Sequence, residues 1–178
     1  QTSLDANQFV ALTAGNVSAQ VLADNPHLAG FTAFNLDVTP ALAKSMLTGQ
    51  IIAVALDAQN TLLEATRVQF PRVLDALYTA SENDADEARL GLTYTEDTVT
   101  QQVWAPTAKQ VNAKIYSETK TLLRTQAMQL DTATGIWSLV SPRAEVDRLY
   151  YRYELSVFHP LTQNIELLET TDPYSVSL

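Results

Sequence analysis

The sequence contains no cysteine among its 178 residues, which excludes disulfide bonds, thiolate metal sites and cysteine nucleophiles. Positive charge is scarce as well, with 11 Lys and Arg against 20 Asp and Glu and a formal net charge of −9. Because phosphate binding needs a basic surface, this balance argues against nucleic acid and anionic membranes as partners. No apolar run approaches the roughly 18 residues that suggest a membrane span.

Candidate catalytic groups are few. The two histidines, His27 and His159, lie near prolines in predicted loops, without the spacing of a catalytic triad or of a zinc site. A glycosidase needs two carboxyl groups that face each other across roughly 5 to 10 Å. Glu166 and Glu169 fall on opposite faces of one predicted strand. We therefore predict no catalytic residue and no metal ligand in this chain.

An acidic stretch separates two predicted domains, which we assign to residues 1–85 and 86–178. Residues 79–89 read TASENDADEAR, without a large apolar side chain. Runs of this kind are usually solvated, so a linker is the favoured interpretation. A calcium site is the alternative, although the glycine and distal glutamate of an EF-hand are missing.

The sequence of the first domain predicts both short strands and short helices. Residues 8–13 and 17–23 suggest short strands, or a strand and a turn, and residues 31–38 suggest a strand with both faces partly buried. A hairpin is predicted over residues 50–57 and 61–70. Thr39 and Pro40 suit the N-cap and first position of a helix over residues 40–48. A short helix is predicted over residues 72–78. The expected core comprises Phe31, Phe34, Leu36, Ile51, Ile52, Val54, Leu56, Leu62, Val68, Val73, Leu74 and Leu77.

The second domain shows six or seven alternating segments at spacings near ten residues, which is typical of an antiparallel β-sandwich. Its first hairpin turns at Trp104-Ala105-Pro106-Thr107-Ala108. Pro106 fixes φ and lacks an N–H donor, so it suits a corner. We predict a mainly β protein with two consecutive sandwiches of immunoglobulin-like type and one or two short helices in the first.

Four motifs carry a resemblance to the family 48 carbohydrate-binding module. They are WAPTA at 104–108, TGIWS at 134–138, LYYRYEL at 149–155 and TDPYS at 171–175. The VLDALY segment at 73–78 is similar to the N-terminal (N2-like) region of bacterial type I pullulanases, which belong to glycoside hydrolase family 13. The chain thus resembles an internal piece of such an enzyme. Its start at Gln1 and its end at Leu178 fit that expectation.

The resemblance implies accessory domains without catalytic activity. The parent enzyme would hydrolyse α-1,6 bonds in pullulan and branched dextrins, using carboxylates of a barrel domain outside this chain. It implies no cofactor for the fragment and leaves calcium open for the parent. Secreted, periplasmic and cell-surface locations are the ones it favours. The expected partners are the downstream barrel and, through weak or shared contacts, α-glucan.

Residue roles follow from the same resemblance. Tyr150 and Arg152 are the candidates for carbohydrate contact, and His159, Pro173 and Tyr174 are the candidates for docking on the barrel. Glycogen-binding relatives carry tryptophans in two loops that here read SETK at 117–120 and HPLTQ at 159–163. The framework candidates, expected to be structural, are Trp104, Pro106, Trp137, Tyr151 and Tyr153.

Two other functions stay open from the residues alone. The chain could be a self-sufficient glycogen- or starch-binding module, since exposed rings stack on glucose and polar groups reach its hydroxyls. An adhesin-like sandwich unconnected with glucans is the remaining alternative.

Overall fold

The computed structural model describes residues 9–79 and 85–175. The chain divides into two compact units, one that ends at Ala43 and one that begins at Lys44. The domain boundary predicted near residue 85 stays a prediction. Part of the acidic stretch, residues 80–84, lies outside the described residues, as do both chain ends.

The first unit is built from short elements. Strand β1 (Thr13–Gly15) pairs antiparallel with β2 (Ala33–Asn35), and helix α1 (Ala19–Asp24) and a 3-10 helix (Pro26–Gly30) lie between them in sequence. The interpretation of residues 17–23 as a strand or a turn is therefore wrong. The Ser18 hydroxyl accepts the N–H of Val21 at 3.2 Å, so an N-cap followed by good helix formers overrides the apolar alternation.

Apolar side chains of this unit are more exposed than predicted. Phe31 is 70% exposed and Phe34 is 59% exposed, and Leu36 is also exposed. The predicted strand over residues 31–38 shortens to β2, whose two-stranded sheet buries neither ring. The expected partial burial of both strand faces is wrong, because alternation indicates faces but not whether another layer covers them.

Helix α2 (Pro40–Met46) begins where the sequence predicts. The Thr39 hydroxyl accepts the N–H of Leu42 at 3.2 Å, as an N-cap does. A hairpin of β3 (Ile52–Leu56) and β4 (Leu62–Arg67) follows, and then α3 (Pro71–Tyr78), which begins with its proline. Further members of the predicted core are exposed, namely Ile52, Leu56, Leu62, Val68 and Val73.

Residues 91–170 form the predicted sandwich from two four-stranded antiparallel sheets. One sheet has the order β5-β6-β10-β9 and the other β12-β11-β7-β8. The mainly β class is confirmed, whereas residues 9–79 contain two separate two-stranded sheets and three α-helices instead of a sandwich. The strands are β5 (Gly91–Tyr94), β6 (Thr98–Trp104), β7 (Gln110–Tyr116), β8 (Leu122–Ala127), β9 (Gln129–Asp131), β10 (Ile136–Pro142), β11 (Tyr150–His159) and β12 (Asn164–Thr170), with helix α4 (Arg143–Val146) before β11.

The main core lies between these sheets and follows strict alternation. On β7, Val111, Ala113 and Ile115 are buried and the residues between them face outward. Tyr153 is fully buried, and Trp137 is 6% exposed while its indole N–H donates to the Ala105 carbonyl at 3.0 Å. The buried cluster comprises Val103, Ala108, Val111, Ala113, Ile115, Met128, Trp137 and Tyr153.

A second, smaller cluster surrounds the proline corner. The Trp104 indole N–H donates to the Thr134 carbonyl at 2.9 Å, and the ring packs against buried Tyr78, Ala85 and Ile136. Ala85 is 3% exposed and donates its N–H to the Tyr78 carbonyl. The predicted acidic linker is therefore not solvated at this residue.

Lys44 extends this cluster from the side of α2. Its ammonium donates to the carbonyls of Thr132 and Ala133 at 2.6 and 3.1 Å. It also lies 4.4 Å from the centre of the Tyr78 ring, a cation–π geometry. Residues assigned to the first domain from sequence thus cover the corner of the second.

Gly135 supplies a test of this packing. Its φ is +73°, and a Cβ built on it would lie 2.6 Å from the Cβ of Pro106 and 3.1 Å from the Tyr78 ring. We expect Gly135→Ala to lower the free energy of unfolding by more than about 1 kcal/mol, because it adds both strain and overlap. Urea denaturation measures the change. The control is Gly49→Ala, whose nearest contact would be an ordinary 3.8 Å, and equal effects of the two variants would contradict the packing.

Candidate functional site

The outer face of the β12-β11-β7-β8 sheet carries the polar and aromatic side chains of interest. Tyr153 points into the core, so its neighbours Arg152 and Glu154 face outward by strand alternation. The register places Arg152 opposite Lys114 on β7 and Glu154 opposite Glu169 on β12. Two pairs of like charges are thus brought together on neighbouring strands.

Ion pairs between strands compensate the repulsion between these like charges. Glu169 accepts from Lys114 at 2.8 Å through one oxygen and from Arg152 at 2.9 Å through the other. Lys114 also lies 3.3 Å from Glu154, which accepts the amide N–H of Asn112. The two bases and two acids form one connected network that fixes the rotamer of Arg152.

A cavity of about 430 Å³ opens at the end of this network. Tyr150 and Tyr116 lie directly opposite each other in the register, and the Tyr116 hydroxyl donates to Glu169 at 3.0 Å. Tyr150 is 53% exposed, so its ring is available to a ligand. The lining residues are Tyr116, Lys120, Tyr150, Tyr151, Arg152, Glu169, Thr171, Asp172 and Ser175.

The structure therefore brings together the two predicted carbohydrate contacts, Tyr150 and Arg152, and adds others that sequence reasoning missed. Tyr116 ends the same outward-facing row of β7 as Lys114, so the direction of its side chain could have been inferred from alternation. Its place opposite Tyr150 could not, because the register between β7 and β11 depends on tertiary packing. Lys120 lies in a turn with a φ of +62°, and nothing in the sequence indicated that it would line the cavity.

A buried polar cluster lies beneath the cavity. The carboxylate of Asp172, 4% exposed, accepts the hydroxyls of Tyr151 at 2.5 Å and Tyr153 at 3.3 Å. The two rings meet edge to face with centroids 5.6 Å apart. Burial, with the nearby Asp172 charge adding to it, raises the pKa of both tyrosines well above the ordinary value. Both framework tyrosines are therefore neutral donors.

The docking candidates occupy two ends of the sheet. Pro173 and Tyr174 are exposed beside the cavity. Tyr174 packs closely on Gly91, because a Cβ built on Gly91 would lie 2.9 Å from the Cβ of Tyr174. His159 ends β11, with its ring nitrogen 4.0 Å from Glu166. Nine residue steps of strand place it roughly 30 Å from Tyr150. One partner that touched both ends would have to span the sheet.

Metal and membrane sites were sought in residues 9–79 and 85–175. Within these ranges no three His, Asp or Glu side chains gather closely enough to hold a metal ion. None of the helices described there combines the length and apolar character needed to cross a bilayer.

Comparison with known proteins matches each part of the chain to a domain family. Residues 1–76 match the model of the Pullulanase N2 domain, and residues 89–175 match carbohydrate-binding module 48, the isoamylase N-terminal domain. The chain is 36% identical over 172 residues to a pullulanase of Klebsiella pneumoniae and 30% identical over 168 residues to chloroplastic pullulanase 1 of Arabidopsis thaliana. These matches cover 97% and 92% of the chain.

Solved structures give the same result. A Klebsiella pneumoniae pullulanase complexed with maltotriose matches 96% of the chain with a TM-score of 0.84 and 37% identity. PulA from Klebsiella oxytoca matches 94% with a TM-score of 0.83 and 35% identity. The chain spans only about 15% of the length of the Klebsiella pneumoniae relative and 16% of either solved chain.

The ion network predicts a pH dependence. The hydrogen bond from Lys114, followed by that from Tyr116, lowers the pKa of the Glu169 carboxyl below its ordinary 4.5. The ionised group therefore stabilises the fold above that value, and the stabilisation is lost as the pH falls through the lowered pKa. We expect Glu169→Gln to flatten the dependence of unfolding free energy on pH between about pH 5 and 3, measured by urea denaturation. Glu64→Gln, on exposed β4, is the control and should retain the wild-type slope.

Proposed function

Residues 1–76 belong to the Pullulanase N2 domain family and residues 89–175 to the carbohydrate-binding module 48 family, and on this premise we propose that the chain is the accessory region of an α-glucan debranching enzyme. These domains are non-catalytic parts of pullulanase. The parent would hydrolyse α-1,6 bonds of pullulan and branched dextrins in a barrel outside this chain. The accessory region would contact α-glucan and dock on that barrel.

The observation that carries the glucan proposal is the cavity that unites Tyr116, Tyr150 and Arg152 on one sheet face. An exposed tyrosine ring can stack on the apolar face of glucose. Arg152 gives one N–H to Glu169 at 2.9 Å, and a guanidinium has five, so donors are left for sugar hydroxyls. Because the salt network fixes this side chain in advance, less conformational entropy is lost when a sugar binds.

The proposed affinity is low. The loops at 117–120 and 159–163 carry no tryptophan, so a glucan would meet tyrosine rings of smaller apolar area. We propose a Kd in the range of about 1 mM, with the remaining contacts supplied by a neighbouring domain. This favours shared binding over a self-sufficient module.

A second observation favours docking at the far end of the same sheet. Leu161 is 85% exposed, Leu167 is 69% exposed and Ile165 is 44% exposed, all close in sequence to His159. Exposed apolar groups gathered on one side of a domain are typical of protein interfaces. We place the barrel contact there, with Pro173 and Tyr174 as further candidates. The pullulanase relatives lend no support to the adhesin-like alternative.

Glucan contact can be tested by electrophoresis in native gels containing pullulan or glycogen. The wild-type chain should be weakly retarded, and Tyr150→Ala or Arg152→Ala should migrate as in a plain gel. Tyr94→Ala is a matched control, because Tyr94 is also 53% exposed but lies on β5 of the other sheet. Arg124→Ala controls for loss of an arginine–glutamate pair. Free migration of the wild type would reject glucan binding.

Docking can be tested in the parent enzyme. Its catalytic domain expressed without residues 91–178 should lose solubility or melt at a lower temperature, because apolar surface becomes exposed. Leu167→Glu in the whole parent should lower the melting temperature of the catalytic domain, whereas Leu123→Glu on β8 should not. Unchanged melting and activity of the truncated enzyme would contradict docking.

A further inference from the structure

The last described residues of the chain form one wall of the cavity. We call residues 171–175 the exit segment, because they follow β12 and leave the sandwich. Thr171, Asp172 and Ser175 line the cavity together with side chains of β7 and β11. One part of the proposed glucan site is therefore a strand-paired sheet, whereas Thr171, Asp172 and Ser175 belong to a short irregular segment that needs its own support.

Asp172 supplies that support. One carboxylate oxygen accepts the hydroxyls of Tyr151 and Tyr153, and the other accepts the Tyr174 N–H at 2.8 Å. The Asp172 carbonyl accepts the Ser175 N–H at 3.1 Å, which closes a turn. A buried carboxylate is costly unless its oxygens are hydrogen-bonded, so these bonds hold the segment to the core.

From this geometry we infer that Asp172 is a positioning residue for the glucan site: its carboxylate fixes the exit segment as the cavity wall, and ligand binding in the cavity in turn stabilises that segment. This inference rests on the proposed function, because Asp172 can position a glucan site only if the cavity binds glucan. Coupling must be reciprocal: a ligand that needs the ordered segment also orders it.

The two buried tyrosine hydroxyls require a carboxylate at position 172 as their acceptor. Both hydroxyls are neutral donors at any ordinary pH, since burial raises their pKa. In Asp172→Asn one of the two carboxylate oxygens becomes an amino group, which cannot accept a hydrogen bond, so either the two tyrosine hydroxyls or the Tyr174 N–H loses its acceptor. Tyr153→Phe removes one donor and leaves the cavity lining intact, because Tyr153 is fully buried and does not line it.

Chymotrypsin gives a readout that does not depend on glucan. Tyr174 is 50% exposed, so cleavage after it reports opening of the exit segment. At a temperature where circular dichroism shows every variant folded, we expect cleavage there to be at least about 5-fold faster in Asp172→Asn than in wild type, and faster also in Tyr153→Phe. The control is Asp131→Asn: Asp131 likewise holds a turn, through Ala133 and Thr134, but does not line the cavity.

Pullulan supplies the second readout. It should slow cleavage after Tyr174 in wild type by at least about 5-fold, and Asp172→Asn and Tyr153→Phe should be less retarded in pullulan gels than Asp131→Asn. If Asp172→Asn and Tyr153→Phe are cleaved and migrate as wild type while Tyr150→Ala loses retardation, the inference is overturned and the proposed function stands. If wild type migrates freely, glucan binding and its coupling both fail, while the cleavage rates still decide whether Asp172 holds the segment.

Discussion

The pairing of β7 with β11 is the constraint on which the rest of the second half depends. One register places Tyr153 opposite Ala113 in the core and Arg152 opposite Lys114 on the surface. A shift by a single residue would exchange these faces, burying charges and exposing the core. The same register sets Tyr150 beside Tyr116. The hydrophobic core and the candidate site are therefore two sides of one strand pair.

The proline corner has a different role from that of the sheet. Trp104 does not belong to the main core; it packs with Tyr78 and Ala85, which come from the segment before the sandwich. Lys44 adds hydrogen bonds from α2 to the turn before β10. A motif that identifies a carbohydrate-binding module thus functions here as a contact for preceding residues, which makes the second compact unit larger than the module alone.

The candidate site combines a part on paired strands with a part whose position depends on one buried side chain. The ion pairs around Glu169 fix Arg152 on paired strands, whereas the wall formed by the exit segment depends on the hydrogen bonds of Asp172. Rigid scaffolds with adjustable loops are a common design for recognition. If the cavity binds glucan as proposed, such a wall would couple the order of residues 171–175 to the strength of binding.

The sequence by itself determined the sandwich over residues 91–170, because strict alternation on β6 and β7 leaves one buried face. It also determined the N-cap of α2. It failed for the exposure of Phe31, Phe34 and the β3–β4 hairpin, since alternation cannot say which face receives a covering layer. Tertiary structure alone decided that Tyr116 and Asp172 complete the cavity, because cross-strand register and the turn of the exit segment arise only when distant residues pack together.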